Sequence, residues 1–326
     1  MKYYLGVDGG GTKINLILFN ENYELVCEGT GGGVTTSYLD ISVVRENMMD
    51  AVRSLMKPFN GERIKVERAA GVLIGPGKVL NECLATAMDV PPFESRDEGY
   101  MYLLAGGLTD KGGVALAGTG DGAVYINGRN DIYHTGGYGS YMGEDGSGWW
   151  IGNRGMFAAI QMIDGWGQDT VLKDYLFQYL KVTDRHQLIP AVYSNSEGIP
   201  HHSVVAGFTR WVGKAAREGD EAALAIIREA GTLMAKKMIG CYKINNADPA
   251  NFPMYACGGA WKASPEMLKA CNDYLAEHLP GAVVRFGTFD PIVASVIEKM
   301  IEDGKDAREC ESFLRAQYGQ YLVKVV

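Results

Sequence analysis

Two short apolar runs open the chain, Tyr3 to Val7 and Ile14 to Phe19, separated by Asp8-Gly9-Gly10-Gly11-Thr12-Lys13. The pattern returns at Val114 to Ala117, the turn Gly118-Thr119-Gly120-Asp121-Gly122, and Ala123 to Ile126. β-prone runs on both sides of a glycine turn predict strand, tight turn, strand, and two such units predict a duplicated core. After the first unit the polarity pattern predicts a strand over Leu25 to Glu28 and a loop over Gly29 to Thr36. An amphipathic helix over Ile41 to Met56, a buried strand over Arg68 to Ile74 and a helix over Asp97 to Ala105 follow. From Val114 strands resume, then a glycine-rich segment, Gly136 to Gly155, and then helices. Ser203 to Tyr242 predicts two helices broken at Arg217-Glu218-Gly219-Asp220, with Asp220 capping the second. A strand over Met254 to Cys257, a helix over Ser264 to His278, a strand over Val283 to Phe286 and a helix beginning at Asp290-Pro291 complete the pattern. Arg308 to Val326 has no decisive period.

At 326 residues the chain is long for one core, and two domains are expected, residues 1–112 and 113–326, with the final helices able to pack back on the first. The balance of 31 Lys+Arg against 39 Asp+Glu, a net charge of −8, argues against a nucleic-acid or anionic-membrane partner and for a small molecule. No apolar run approaches the length that spans a bilayer, and the N-terminus runs straight into a strand, so a soluble, unprocessed, cytoplasmic chain is expected. The six cysteines are scattered, without metal-ligand spacing, and read as reduced thiols.

Glycine turns expose backbone N–H groups, and successive N–H groups facing one concavity form a nest suited to phosphate. The amides of Gly10, Gly11 and Thr12 in one turn, and of Thr119 and Gly120 beside Gly118 in the other, are candidates to grip a nucleotide polyphosphate, with the hydroxyls of Thr12 and Thr119 as added donors. Asp8 does not favour a bare phosphate and makes chemical sense with a divalent cation, or its waters, in between. Lys13 lies next to the first nest, but as readily points to solvent from an outgoing strand. Asp97, at the start of a predicted helix, reads on the residues alone as an acid complementing the helix dipole.

Four motifs in order then carry a family resemblance: Gly6 to Lys13 as a first phosphate motif, Leu116 to Tyr125 as a second, Gly136 to Gly155 as a pocket loop, and Tyr255 to Ser264 as an adenosine motif. Together they resemble the N-acetylglucosamine kinase-like members of the BadF/BadG/BcrA/BcrD ATPase family, within the sugar kinase, heat-shock chaperone and actin superfamily. The resemblance covers nearly the whole chain. It implies an α/β fold of two ribonuclease-H-like, actin-like ATPase domains with an interdomain nucleotide cleft binding ATP and Mg²⁺. The implied reaction is phosphorylation of a sugar hydroxyl, on an amino sugar such as N-acetylglucosamine or a related hexosamine. Such a transfer asks the protein mainly to position, to neutralise charge and to accept one proton. The resemblance implies Asp97 as that acceptor, with Glu98 its rival, Asp8 as the magnesium ligand through water, and Gly258 and Gly259 at the adenine. Relatives often pair through their C-terminal domains, which makes a homodimer an expectation.

Three departures fall in the implied sugar site. The loop after the third strand carries Thr35 and Thr36 where the family pattern has an Asn. The second phosphate motif continues with Asp121-Gly122 rather than Ser, and the pocket loop reads Gly143-Glu144-Asp145-Gly146-Ser147 rather than Gly-Asp-Glu-Gly-Ser. Thr35, Thr36, Asp121, Glu144 and Asp145 are therefore the candidate sugar contacts, and Glu144, one methylene longer than Asp, points to a displaced or different sugar. Two other readings compete. A reductase- or dehydratase-activating ATPase needs cysteines placed for an iron–sulfur cluster, which the sequence does not offer. A non-catalytic sensor of this type usually carries an added DNA-binding segment, and the chain begins directly with the first predicted strand.

Overall fold

The computed structural model describes residues 1–37, 39–194 and 201–324, and the chain divides into two compact units. The first is made of Met1–Asp110 and Gly287–Val323, the second is built on Lys111–Phe286.

In the first unit β1 (Tyr3–Gly9), β2 (Lys13–Asn20) and β3 (Leu25–Gly32) form an antiparallel meander. Helix α1 (Ile41–Met56) leads to β4 (Ile64–Leu73), which pairs with β1 in parallel. Helix α2 (Gly77–Ala85), the short strands β5 (Met88–Asp89) and β6 (Glu94–Ser95), both on β4, and α3 (Glu98–Gly107) follow. Leu5, Val7, Leu16 and Leu18 pack under Val44, Met48 and Leu55 of α1 and Leu80 and Leu84 of α2. Strand β3 runs four residues past its expected end, and the reason is steric. A Cβ at Gly29 or Gly31 would collide with the α1 carbonyls of Ala51 or Asn47, so these glycines are strand positions beneath a closely packed helix rather than a loop. Helix α2 was not expected from the sequence; it begins behind Pro76 with no side-chain cap and so lacks the usual start signal.

The second unit repeats the strand arrangement. β7 (Lys111–Ala117), β8 (Asp121–Asn127) and β9 (Ile132–Gly136) form the meander. The connection that held one long helix in the first unit here carries α4 (Gly148–Ile163), α5 (Leu172–Leu180), α6 (Leu188–Tyr193), α7 (His201–Gly207), α8 (Thr209–Arg217) and α9 (Glu221–Ile244). Asp220 caps α9 by accepting from the Ala223 amide (2.9 Å), while the segment before it is two helices, α7 and α8, rather than one. β10 (Met254–Cys257) then pairs with β7 in parallel, and α10 (Pro265–His278) leads to β11 (Val284–Phe286) on β10. The two sheets read β3-β2-β1-β4-β5 and β9-β8-β7-β10-β11, the same order and directions, which is the duplicated core. The chain closes with α11 (Ala294–Glu302) and α12 (Glu311–Tyr318) in the first unit. Thus Arg308 to Val326 contains a helix, its last two residues lying outside those described.

No two of the six cysteines form a disulfide. Among the described residues no helix is long and apolar enough to cross a membrane.

Candidate functional site

In the first unit the strand period decides where Asp8 points. Leu5 and Val7 face the α1 core, so Gly6 and Asp8 face the other side of the sheet. There a Cβ on Gly6 would lie 3.1 Å from Ser295 Cβ of α11, and the Ser295 hydroxyl donates to the Ala70 carbonyl (3.0 Å). Burial pushes the Asp8 carboxyl up to about 6; Lys13 opposes the shift, while Asp290 and Glu98 add to it. Asp8 therefore sits among carboxylates, with the exposed Lys13 as its counter-charge. That field suits a divalent cation. Among the described residues no group of three His, Cys, Asp or Glu side chains forms a metal cage.

The first turn differs in detail from expectation. The Gly10 amide, expected to face a phosphate, donates to the Lys13 carbonyl (2.9 Å) and closes the turn instead. The Gly10 carbonyl accepts from Val34 N (2.9 Å), and Gly33 comes so close to the Gly11 carbonyl that no side chain fits there. This brings the Gly33–Thr35 segment against the turn. Thr35 is buried, with its hydroxyl 3.2 Å from that of Ser37, whereas Thr36 and Thr12 are exposed.

Asp97 is placed by a chain of backbone and ionic contacts. β6 pairs with β4, the Arg96 amide donates to the Gly71 carbonyl (2.8 Å), and Arg96 Nε donates to the buried Glu298 of α11 (2.7 Å). One residue later Asp97 caps α3, its Oδ1 accepting from the Tyr100 amide (3.1 Å). Glu98 accepts from the Tyr102 hydroxyl (3.0 Å).

In the second unit the Gly118 amide donates to the Gly120 carbonyl (2.8 Å), so its N–H is used within the turn. The carbonyls of Gly118 and Thr119 accept from Gly148 N (2.8 Å) and Trp149 N (3.0 Å), the first amides of α4, and Ser147 caps that helix through Trp150 N (3.0 Å). The turn is thereby fixed to the helix N-terminus that ends the pocket loop. Glu144 lies over it: a Cβ on Gly120 would be 2.9 Å from Glu144 Oε1, while Glu144 Oε2 lies 3.5 Å from His202 Nε2. The His202 ring stacks on Trp149 (centroids 6.3 Å apart). At Gly258 (φ +103°) a Cβ would collide with the Ala117 carbonyl and lie 2.7 Å from Gly118 N, so this glycine sets the adenosine motif directly against the turn. Gly259 is exposed, with open space beside it. Trp261 is core: it is 1% exposed and its Nε1 donates to the Ala115 carbonyl (2.8 Å).

Asp121 stands apart from the other expected sugar contacts. Its side chain is fully shielded and pairs with Lys237 of α9, which also donates to the Asp145 carbonyl (2.9 Å). Burial pushes the Asp121 carboxyl up to about 6; Lys237 acts against that shift, and Glu144 and Asp145 reinforce it. An uncompensated carboxylate here would cost several kcal/mol, so Lys237 belongs to the site. Sequence reasoning missed it, as it missed His202. The signal for Lys237 was a lysine interrupting the buried stripe Met234, Met238, Cys241. For His202 there was none, since its partner lies 58 residues away. The Asp145 side chain is exposed, and its carbonyl is the group in use.

Comparison with known proteins gives the family and the fold. Residues 5–297 match the model of the BadF/BadG/BcrA/BcrD ATPase family. The chain is 27% identical over 242 residues to an N-acetylmuramic acid/N-acetylglucosamine kinase of Clostridium acetobutylicum, covering 71% of this chain and 76% of that one. To an N-acetyl-D-glucosamine kinase of Dictyostelium discoideum it is 21% identical, covering 90% and 96%. In fold it resembles a candidate N-acetylglucosamine kinase from Chromobacterium violaceum (TM-score 0.66, 19% identity, 92% and 99% covered). It also resembles a ROK family glucokinase from Streptomyces griseus, solved with glucose and AMPPNP (TM-score 0.52, 16% identity, 91% and 97% covered). The fold is that of the actin-like ATPases and sugar kinases, and the chain belongs to the BadF/BadG/BcrA/BcrD ATPase family.

Proposed function

We propose that this protein is an ATP-dependent kinase that phosphorylates a hydroxyl of an amino sugar. The observation that carries the reading is Glu144 lying over Gly120, a carboxylate able to hold sugar hydroxyls beside a turn built to hold phosphate. Relatives named for N-acetylglucosamine and N-acetylmuramic acid support the substrate class.

In this reading the amides of Gly11 and Thr12, and of Thr119 and Gly120, bind polyphosphate oxygens, and Gly258 and Gly259 admit the adenine. Asp8 would hold Mg²⁺ through water, and the ion, when bound, would supply charge neutralisation for the phosphoryl group. Thr35, Thr36, Glu144 and the Asp145 carbonyl fix the sugar. Asp97 accepts the hydroxyl proton, its carboxylate oriented by the bond from Tyr100 N. Asp121 contributes through the loop it anchors rather than through the sugar. Use of ATP supports a cytoplasmic activity.

The test is Mg²⁺-dependent ADP release with hexoses, hexosamines, N-acetylhexosamines and muramic-type sugars, against a no-sugar control. Stimulation by an amino sugar is expected; hydrolysis indifferent to every sugar would overturn the reading. Asp97→Asn sharpens it, because Asn caps a helix as well as Asp but accepts no proton. A loss in kcat of about 10³-fold or more with a normal melting temperature is expected.

A further inference from the structure

The ammonium of Lys237 joins three segments: α9, which bears it, the first residue of β8, and the backbone of the pocket loop at Asp145. The loop rests on the same face of α9 one turn earlier. At Gly146 (φ +101°) a Cβ would come within 2.9 Å of the Ala230 carbonyl and 3.0 Å of Met234 Cγ, so the loop backbone lies directly on the helix. Ala230, Met234 and Lys237 follow the spacing of one helix face. At its far end the loop is tied by Ser147 N to the Glu144 carbonyl (3.0 Å) and by Gly148 N to the Gly118 carbonyl. Glu144 immediately precedes these ties, and its own carbonyl takes one of them. Asp121 Oδ1 is buried with no hydrogen-bond partner among the described residues, so Lys237 is what holds this carboxylate in place.

We propose that Lys237 is a positioning residue for the sugar: by clamping Asp121 and the Asp145 carbonyl together it sets the distance of the Glu144 carboxylate from the second glycine turn. This rests on the amino-sugar kinase reading. A mere charge partner of Asp121 would be dispensable once Asp121 is neutral; a clamp on the loop backbone would not.

The experiment compares wild type, Lys237→Met and the double variant Lys237→Met/Asp121→Asn. It measures melting temperature, KM for the best amino sugar, KM for ATP, and hydrogen exchange of the 143–147 amides. The single variant melts lower, and the double variant regains most of that loss because no buried charge is left unpaired. In both, the sugar KM rises about tenfold while the ATP KM stays within about twofold, and the loop amides exchange faster. Recovery of both melting temperature and sugar KM in the double variant would reduce Lys237 to a charge partner and overturn the proposal. So would an unchanged sugar KM or unchanged loop exchange in the single variant. If wild type turns over no sugar, the kinase reading fails, and loop exchange alone decides whether Lys237 is the clamp.

Discussion

The two glycine turns sit at the same place in two copies of one sheet, yet they treat their acidic residue in opposite ways. Asp8, near the end of β1, feels the like charges of Asp290 and Glu98 and the opposing charge of the exposed Lys13. Asp121, at the start of β8, has a counter-ion built into the fold, Lys237. Both carboxyls are pushed up to about 6 by burial. The second carboxylate has its counter-ion in the fold; in the reading proposed above the first takes its counter-charge from a bound cation. In that reading, duplication supplies the scaffold and the charges placed around each turn divide the labour: Mg²⁺ and phosphate at one, loop and sugar at the other.

The largest effect that could break this division is on turnover. Asp8→Asn should lower kcat/KM for ATP by about 10²-fold or more, and Asp121→Asn by less than about tenfold, in steady-state assays at saturating sugar. Equal losses would mean that the acids do the same work. The glycines sharpen the contrast further. A Cβ at Gly10 meets nothing within 4 Å, whereas one at Gly120 meets Glu144. Gly10→Ala should leave the sugar KM within about twofold, and Gly120→Ala should raise it about five- to tenfold by displacing that carboxylate.

The smallest effect is a pH slope. The Asp121 carboxyl titrates near 6 in the folded protein and near 3.9 unfolded. Between those values the folded state binds a proton that the unfolded chain does not, so this group's contribution to stability falls as pH rises through that window. In urea unfolding, wild type should lose on the order of 2 kcal/mol relative to Asp121→Asn between about pH 4 and about pH 6. A flat difference would mean that Lys237 keeps Asp121 ionised throughout.

What could be read from the sequence follows from how local the signal is. The two hairpins, α1, the cap Asp220 and the helix starts at Asp97 and Ser264 were legible because turn, periodicity and capping act within a few residues. The extension of β3 was hidden because its glycines answer to a helix some 20 residues on, not to their neighbours. The use of the Gly10 amide inside its own turn was hidden as well, since an exposed nest and a closed hairpin share one composition. The partners of Lys237 and His202 were hidden for a related reason, lying 116 and 58 residues away respectively, although a lysine in a buried helix stripe did mark Lys237.

The most direct test of the division of labour is calorimetric titration of ATP, with and without Mg²⁺, into wild type, Asp8→Asn and Asp121→Asn. The account predicts that Mg²⁺ strengthens ATP binding to wild type and to Asp121→Asn by the same factor, and that Asp8→Asn loses most of that gain. A variant at Asp121 that loses the gain while Asp8→Asn keeps it would contradict the account.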